Sequence, residues 1–138
     1  MTVELTYLFM AAVLTGCLWV PVVIGFVTSR GLLKPHDYVE APTSPLPAWV
    51  NRANRAHANA VENFSSFAAL VLIAHVAELH SSATVTAAAV FFWARVLHAV
   101  VHISGFRHFM ARTVIFSVSW AAFLLLAFEI FRLGIRAG

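Results

Sequence analysis

The stretch that decides the fold is RAHANAVEN, residues 55–63, which runs directly into the apolar segment FSSFAALVLIAHVA, residues 64–77. Arg55, Asn59 and Glu62 stand at i, i+4 and i+7, so a helix places a cation, an amide and an anion on one face. The apolar segment is typical of a helix within a bilayer. Polar groups at such a depth are costly and usually face a bundle interior or a wet cavity. The alternative is a helix end whose polar groups only meet water and lipid headgroups.

The composition of the whole chain also predicts a membrane protein. Of 138 residues, 61% are hydrophobic and 11% are charged, with a mean hydropathy of +0.84. Soluble domains are nearer about 45–50% apolar and about 25% charged. The net charge of +3 is small and no run of Lys or Arg is present, so we expect no nucleic-acid partner. The length fits a single domain, residues 1–138.

Four apolar segments predict an all-α integral membrane protein with four transmembrane helices in an up-and-down bundle. The predicted helices cover about residues 5–28, 48–79, 83–102 and 111–132. Pro21 is expected to kink the first of them, which neighbouring helices tolerate in a membrane. The segment 32–47 reads as an irregular aqueous loop because it combines mixed charges with four prolines. Near the C-terminus, the spacing of Glu129 and Arg132 permits a local ion pair.

The basic residues predict how the bundle is oriented. One side, counted as loops with their adjacent helix ends, holds Arg30, Lys34, Arg52, Arg55, Arg107 and Arg112. The other side holds only Arg132 and Arg136. The positive-inside rule therefore places the first side in the cytoplasm and both termini on the non-cytoplasmic side. We expect the membrane to be a bacterial inner membrane.

This topology gathers most of the embedded polar residues at one membrane depth, near the cytoplasmic face. Three predicted helices supply them: Arg55, Asn59 and Glu62, then Arg95, His98 and His102, then Arg112 and Thr113. Two helices that each present a polar face at one level are poorly explained by snorkelling, so we predict a ligand site here. Glu62 and Arg95 could instead pair with each other and only hold the bundle together.

The residue types of this cluster indicate the chemistry of a ligand. Arginine offers a planar fork to a carboxylate, and the one glutamate is suited to an ammonium group. The complement is a small molecule with carboxylates, an ammonium and amides. Glutathione has these groups, and so do other small zwitterionic peptides. Charge complementarity alone does not choose among them.

The motifs of three helices together resemble one known family, the membrane-associated proteins in eicosanoid and glutathione metabolism, which includes the microsomal glutathione transferases. The resemblance rests on Arg55-Ala-His-x-Asn59-x-x-Glu62-Asn-Phe, on Ala94-Arg95-Val-x-His98 and on Arg112-Thr113. It covers nearly the whole chain. It implies a homotrimer of four-helix subunits that binds glutathione as cosubstrate between subunits and acts on a lipophilic substrate from the bilayer.

The resemblance also implies a role for individual residues. It implies glutathione binding by Arg30, Arg55, Asn59, Glu62, Arg95 and His98. Arg112 resembles the arginine that holds the thiolate, and Thr113 would be a hydroxyl donor. Family members usually carry tyrosine one turn after the His98 position, whereas this chain has His102. The implied reactions are glutathione transfer and hydroperoxide reduction, with no metal, and binding without fast turnover is the alternative.

Three other functions fit parts of the pattern. A haem site could be ligated by histidines from two helices, His98 and His102 on one and His57 and His75 on the other. Against this, His57 and His75 lie about 27 Å apart along one helix. A small multidrug exporter also has four spans, yet the first helix lacks an embedded acid for proton coupling. A structural membrane protein would use the arginines and Glu62 only for bridges between helices.

Overall fold

The computed structural model describes residues 1–32, 34–39, 45–106 and 108–137 of the chain. Its α-helices are α1 (Val3–Cys17), α2 (Trp19–Arg30), α3 (Ala48–Val76), α4 (Ser82–Ser104) and α5 (Ala111–Ala137). Two 3-10 helices, Pro35–Tyr38 and His108–Met110, lie in the connections. Glu40 and Pro42 of the expected aqueous loop, and Arg107 of the charge pattern, lie outside the described residues.

Four stretches of helix are long and apolar enough to cross a membrane: Val3–Arg30, Ala48–Val76, Ser82–Ser104 and Ala111–Arg136. The prediction of an all-helical protein with four spans is therefore confirmed in the described part of the chain. The first and third spans extend beyond the predicted limits at both ends, and the fourth extends beyond residue 132. Helix α3 ends at Val76, before the predicted residue 79. There Glu78 adopts a positive φ of 56°, which an α-helix does not accommodate.

The first span is interrupted at Leu18, so that α1 and α2 together form one crossing. Proline has no backbone N–H, so Pro21 leaves the carbonyl of Cys17 without its usual helical partner. The interruption at Leu18 lies within one turn of Pro21, where the sequence predicts a kink.

Helix α4 is the most buried of the four spans, and it packs against α1, α3 and α5. Half of its most apolar window is buried, against 22–28% for the other three spans. Buried alanines such as Ala87, Ala88 and Ala74 line its contacts, and small residues let membrane helices approach closely. The rings of Phe67 and Phe91 stack at a centroid distance of 4.0 Å between α3 and α4.

At the end of the bundle that holds the N-terminus, a buried carboxylate joins α1 to α4. Glu4 is 2% exposed, and its Oε1 accepts a hydrogen bond of 2.7 Å from the Thr84 hydroxyl. The Nδ1 of His80 lies 3.2 Å from the same oxygen. Thr84 also forms a capping box with Ser81 at the start of α4. Nothing in the sequence pattern singled out Glu4, since it lies just before the first predicted helix, which begins at about residue 5.

We expect Thr84→Val to destabilise the protein by about 1–3 kcal/mol, because it removes the shortest hydrogen bond of the buried Glu4 carboxylate and the hydroxyl that accepts from the Ser81 N–H in the capping box. Thermal unfolding in detergent, followed by tryptophan fluorescence, measures the change. Thr86→Val is the matched control, because Thr86 is exposed and its hydroxyl bonds only to the Ser82 carbonyl of its own helix. Equal melting temperatures for the two variants would show that the Glu4 contact is not stabilising.

Candidate functional site

We call the other end of the bundle, where α2 and α4 end and α3 and α5 begin, the polar end. It contains a pocket of about 310 Å³ with three arginine side chains in its lining. The described lining residues are Ala48, Asn51, Arg52, Arg55, Gly105, Phe106 and Arg112. None of these is acidic, so the pocket is an anion-attracting one.

A second pocket, of about 230 Å³, opens between α4 and α5 beside the first. Its described lining is His98, His102, Arg112, Thr113 and Phe116. Arg112 lines both pockets, and is their shared wall. The two pockets thus bring together five of the residues expected at the site, from three helices: Arg55, His98, His102, Arg112 and Thr113.

Arg95 and Asn59 form the polar contact that joins α3 and α4 within the membrane-spanning segments. Arg95 is 5% exposed, and its Nη2 donates a hydrogen bond of 2.6 Å to the Asn59 side-chain oxygen. Its other terminal nitrogen, Nη1, is buried without a hydrogen bond in the described part of the chain. The sequence allowed Arg95 to pair with Glu62. In the structure Arg95 forms its hydrogen bond with Asn59 instead.

Glu62 lies on an exposed part of α3. Three residues after Asn59 the helix has turned by about 300°, which carries Glu62 about 60° away from Asn59. The packed face, marked by Ala56, lies on the opposite side of Asn59. Within the described residues Glu62 has no hydrogen bond or ion pair, and it lines neither polar pocket. Its carboxylate is therefore not engaged by any described residue.

Arg30 is placed apart from the two polar pockets, at the end of α2. Its guanidinium carbon lies 5.5 Å from the centre of the Phe26 ring. It borders an apolar pocket of about 280 Å³ that runs along α2 and includes Trp19. A single chain thus assembles Arg55, Arg112 and the histidines, and does not bring Arg30 into their pockets.

Arg52 is a residue whose role the sequence pattern did not reveal. Its Nε donates a hydrogen bond of 3.0 Å to the carbonyl of Ile103 in the last turn of α4. Gly105 follows at φ 78°, and a Cβ there would lie 2.9 Å from the guanidinium carbon of Arg52. The left-handed backbone favours glycine here, and a Cβ would also displace the Arg52 guanidinium. The signal in the sequence was this glycine just after α4, which marks a helix end that a cation can cap.

The two histidines of α4 share the smaller pocket and touch each other. Their ring centroids are 5.5 Å apart in an edge-to-face arrangement, and the His98 ring lies 6.1 Å from that of Phe116. Buried nitrogens without a hydrogen-bond partner in the described part are Nδ1 of His98 and both ring nitrogens of His102. Leaving such atoms unpaired costs free energy. A polar ligand at this position would satisfy them.

The histidines of α3 have other neighbours. The His57 ring lies 5.3 Å from Trp19 of α2, and the His75 ring lies 6.3 Å from His80 at the opposite end. Among the described residues no three His, Cys, Asp or Glu side chains are grouped as metal ligands. At that opposite end, the expected ion pair of Glu129 with Arg132 is confirmed, with an N–O distance of 2.6 Å.

One comparison with known proteins matches this chain to a family. A family model described as the MAPEG family matches residues 4–132 of the chain, which includes all four spans almost in full. No curated protein matches the sequence.

We expect Asn59→Leu to destabilise the protein by about 1.5–3 kcal/mol, because it removes the hydrogen bond to a buried charged group. Glu62→Gln, one turn away on the same helix, should leave stability unchanged because its carboxylate has no partner in the described chain. Thermal unfolding in detergent without ligand compares the two. A loss of stability in Glu62→Gln as large as that in Asn59→Leu would contradict this assignment.

Proposed function

This chain belongs to the MAPEG family, and we propose that it is a glutathione-binding membrane enzyme. Its substrates in this proposal are hydrophobic electrophiles or lipid hydroperoxides, which meet the glutathione thiolate at the polar end. The single observation that carries the proposal is the position of Arg112. It joins a pocket with three arginines to a pocket with two histidines.

The larger pocket fits the carboxylates of glutathione. Arg55 and Arg112 are exposed side chains that can turn toward an anion, and a planar guanidinium binds a carboxylate through two hydrogen bonds. Arg52 contributes a third positive charge while its Nε holds the end of α4. No described residue in the lining carries a negative charge that would oppose a carboxylate.

The thiol of the bound peptide would lie beside Arg112. A free thiol has a pKa near ~8.5, and a neighbouring guanidinium favours its anionic form, which is the nucleophile. Thr113 follows Arg112 and lines the smaller pocket, where its hydroxyl can donate a hydrogen bond to the sulfur. A lipophilic substrate would reach the sulfur from the bilayer, and the charged peptide from water.

A homotrimer with the ligand between subunits accounts for the residues that one chain leaves apart. Glu62 is exposed on α3 and Arg30 borders a different pocket. In the proposed assembly Glu62 receives the ammonium of glutathione, and Arg30 completes the site of a neighbouring subunit. Asn59 and Arg95 support this binding face through their hydrogen bond.

In the proposed orientation the polar end faces the cytoplasm and both termini lie on the other side. Of the described basic residues, Arg30, Lys34, Arg52, Arg55 and Arg112 lie toward the polar end, and Arg132 and Arg136 toward the opposite end. The positive-inside rule favours this direction. It gives the site access to cytoplasmic glutathione.

We expect Arg55→Ala to weaken glutathione binding roughly 10- to 100-fold, because it removes a charged hydrogen bond to a carboxylate. Isothermal titration calorimetry on the detergent-purified protein measures the dissociation constant. Arg136→Ala is the matched control, since Arg136 is an exposed arginine at the opposite end of α5. Absence of binding by the unaltered protein at millimolar glutathione would refute the proposed function and leave the fold untouched.

We expect Arg112→Ala to lower the turnover number much more than it lowers the affinity for glutathione, because its charge acts on the thiolate that forms after binding. Steady-state conjugation, measured together with calorimetry and with the oligomer size in detergent, separates the two effects. Loss of assembly or folding in this variant would instead assign Arg112 a structural role.

A further inference from the structure

The smaller pocket at the polar end contains imidazole side chains where a bound thiolate would react. Arg112 and Thr113 form one side of it, on α5, and His98 and His102 form the other, on α4. The two imidazoles are in contact at 5.5 Å. A volume of about 230 Å³ leaves room for the reacting end of a second substrate.

His102 is the histidine best placed to exchange a proton in this pocket. Both of its ring nitrogens are buried, and neither has a hydrogen-bond partner among the described residues. An imidazole whose two nitrogens are both free of other partners can accept a proton on one and donate from it. His98, by contrast, is 5% exposed and packed against Phe116, so it supports the ring of His102.

The other groups of the pocket cannot carry a proton through a reaction. The guanidinium of Arg112 keeps its proton at all accessible pH values, the Thr113 hydroxyl donates a hydrogen bond without becoming ionised, and Phe116 is apolar. Imidazole is the side chain that gains and loses a proton near neutral pH. A pocket with this composition suits reactions in which a proton must be delivered.

We propose that His102 is the proton carrier of the reaction whenever the bond that breaks in the second substrate leaves its electron pair on oxygen. This inference rests on the proposed function at the same site. Hydroperoxides and epoxides share this chemistry, because an alkoxide is a poor leaving group unless it is protonated. A chloroarene does not need a proton, because chloride leaves as a stable anion.

The proton balance closes within the pocket. His102 takes the thiol proton of glutathione, and the resulting thiolate is stabilised by Arg112. With a hydroperoxide, the sulfur forms a bond to the outer oxygen, the O–O bond breaks, and the departing alkoxide takes the proton from His102 to become an alcohol. The glutathione sulfenic acid then reacts with a second glutathione to give the disulfide and water. With an epoxide, an S–C bond forms, a C–O bond breaks, and the ring oxygen takes the same proton.

The test compares substrates with and without an oxygen leaving group on one enzyme. The protein in detergent is first equilibrated with glutathione, so that thiolate formation does not limit the rate. It is then mixed rapidly with cumene hydroperoxide, styrene oxide or 1-chloro-2,4-dinitrobenzene, and single-turnover rates are recorded. The variants are His102→Gln and, as the matched control, His75→Gln at the opposite end of α3.

In His102→Gln the ratio of the hydroperoxide rate to the chloroarene rate should fall by about 100-fold, the lower range for loss of a general acid. The epoxide rate should fall by a similar factor relative to the chloroarene rate, provided that the unaltered protein turns the epoxide over. His75→Gln should keep the ratio of the unaltered protein. Glutathione affinity should be unchanged in both, which separates this result from a failure of the proposed function.

An unchanged ratio in a folded His102→Gln would overturn the proposal, and so would an unaltered protein that turns over only the chloroarene. Should the variant not fold, the solvent deuterium isotope effect on the unaltered protein decides. It should be larger for the oxygen-leaving substrates than for the chloroarene, and equal effects would contradict the role of His102.

Discussion

A guanidinium group buried inside a membrane-spanning helix requires a partner, and the rest of this structure depends on how Arg95 is paired. Its hydrogen bond to Asn59 ties α4 to α3. That tie helps to set the rotation of α4, the most buried of the four spans. His98 and His102 follow at i+3 and i+7 and therefore share the side of α4 that carries Arg95. The smaller polar pocket depends on this register, which places the imidazoles opposite Arg112.

Charged side chains have protein partners at one end of the bundle and line a pocket at the other. Toward the end that holds the N-terminus, Glu4 is bonded to Thr84, and Glu129 is paired with Arg132. At the polar end, three arginines meet around a pocket whose described lining has no carboxylate. Converging cations attract an anion, and buried imidazole nitrogens without partners cost free energy that a polar ligand would offset. This contrast supports a functional role for the polar end and a structural one for the other.

Much of the fold could be predicted from hydropathy alone, because four long apolar segments with short polar turns permit few arrangements. The polar level was also predictable, since helical spacing put Arg55, Asn59 and Glu62 on one face. The pairing of Arg95 was not, because Asn59 and Glu62 are both within one turn of its level. Only the rotation of α3, set by the packing of residues such as Ala56, brings Asn59 toward Arg95. Arg52 escaped prediction for a similar reason, since the glycine after α4 marks a helix end without indicating which distant side chain caps it.

An experimentally determined structure of the protein with glutathione bound would test the proposed site directly. We expect the peptide at the polar end, its carboxylates toward Arg55, and its sulfur within about 4–6 Å of the Arg112 guanidinium, where a cation stabilises a thiolate. Glutathione bound elsewhere, or with its sulfur far from Arg112 and His102, would contradict the proposed site.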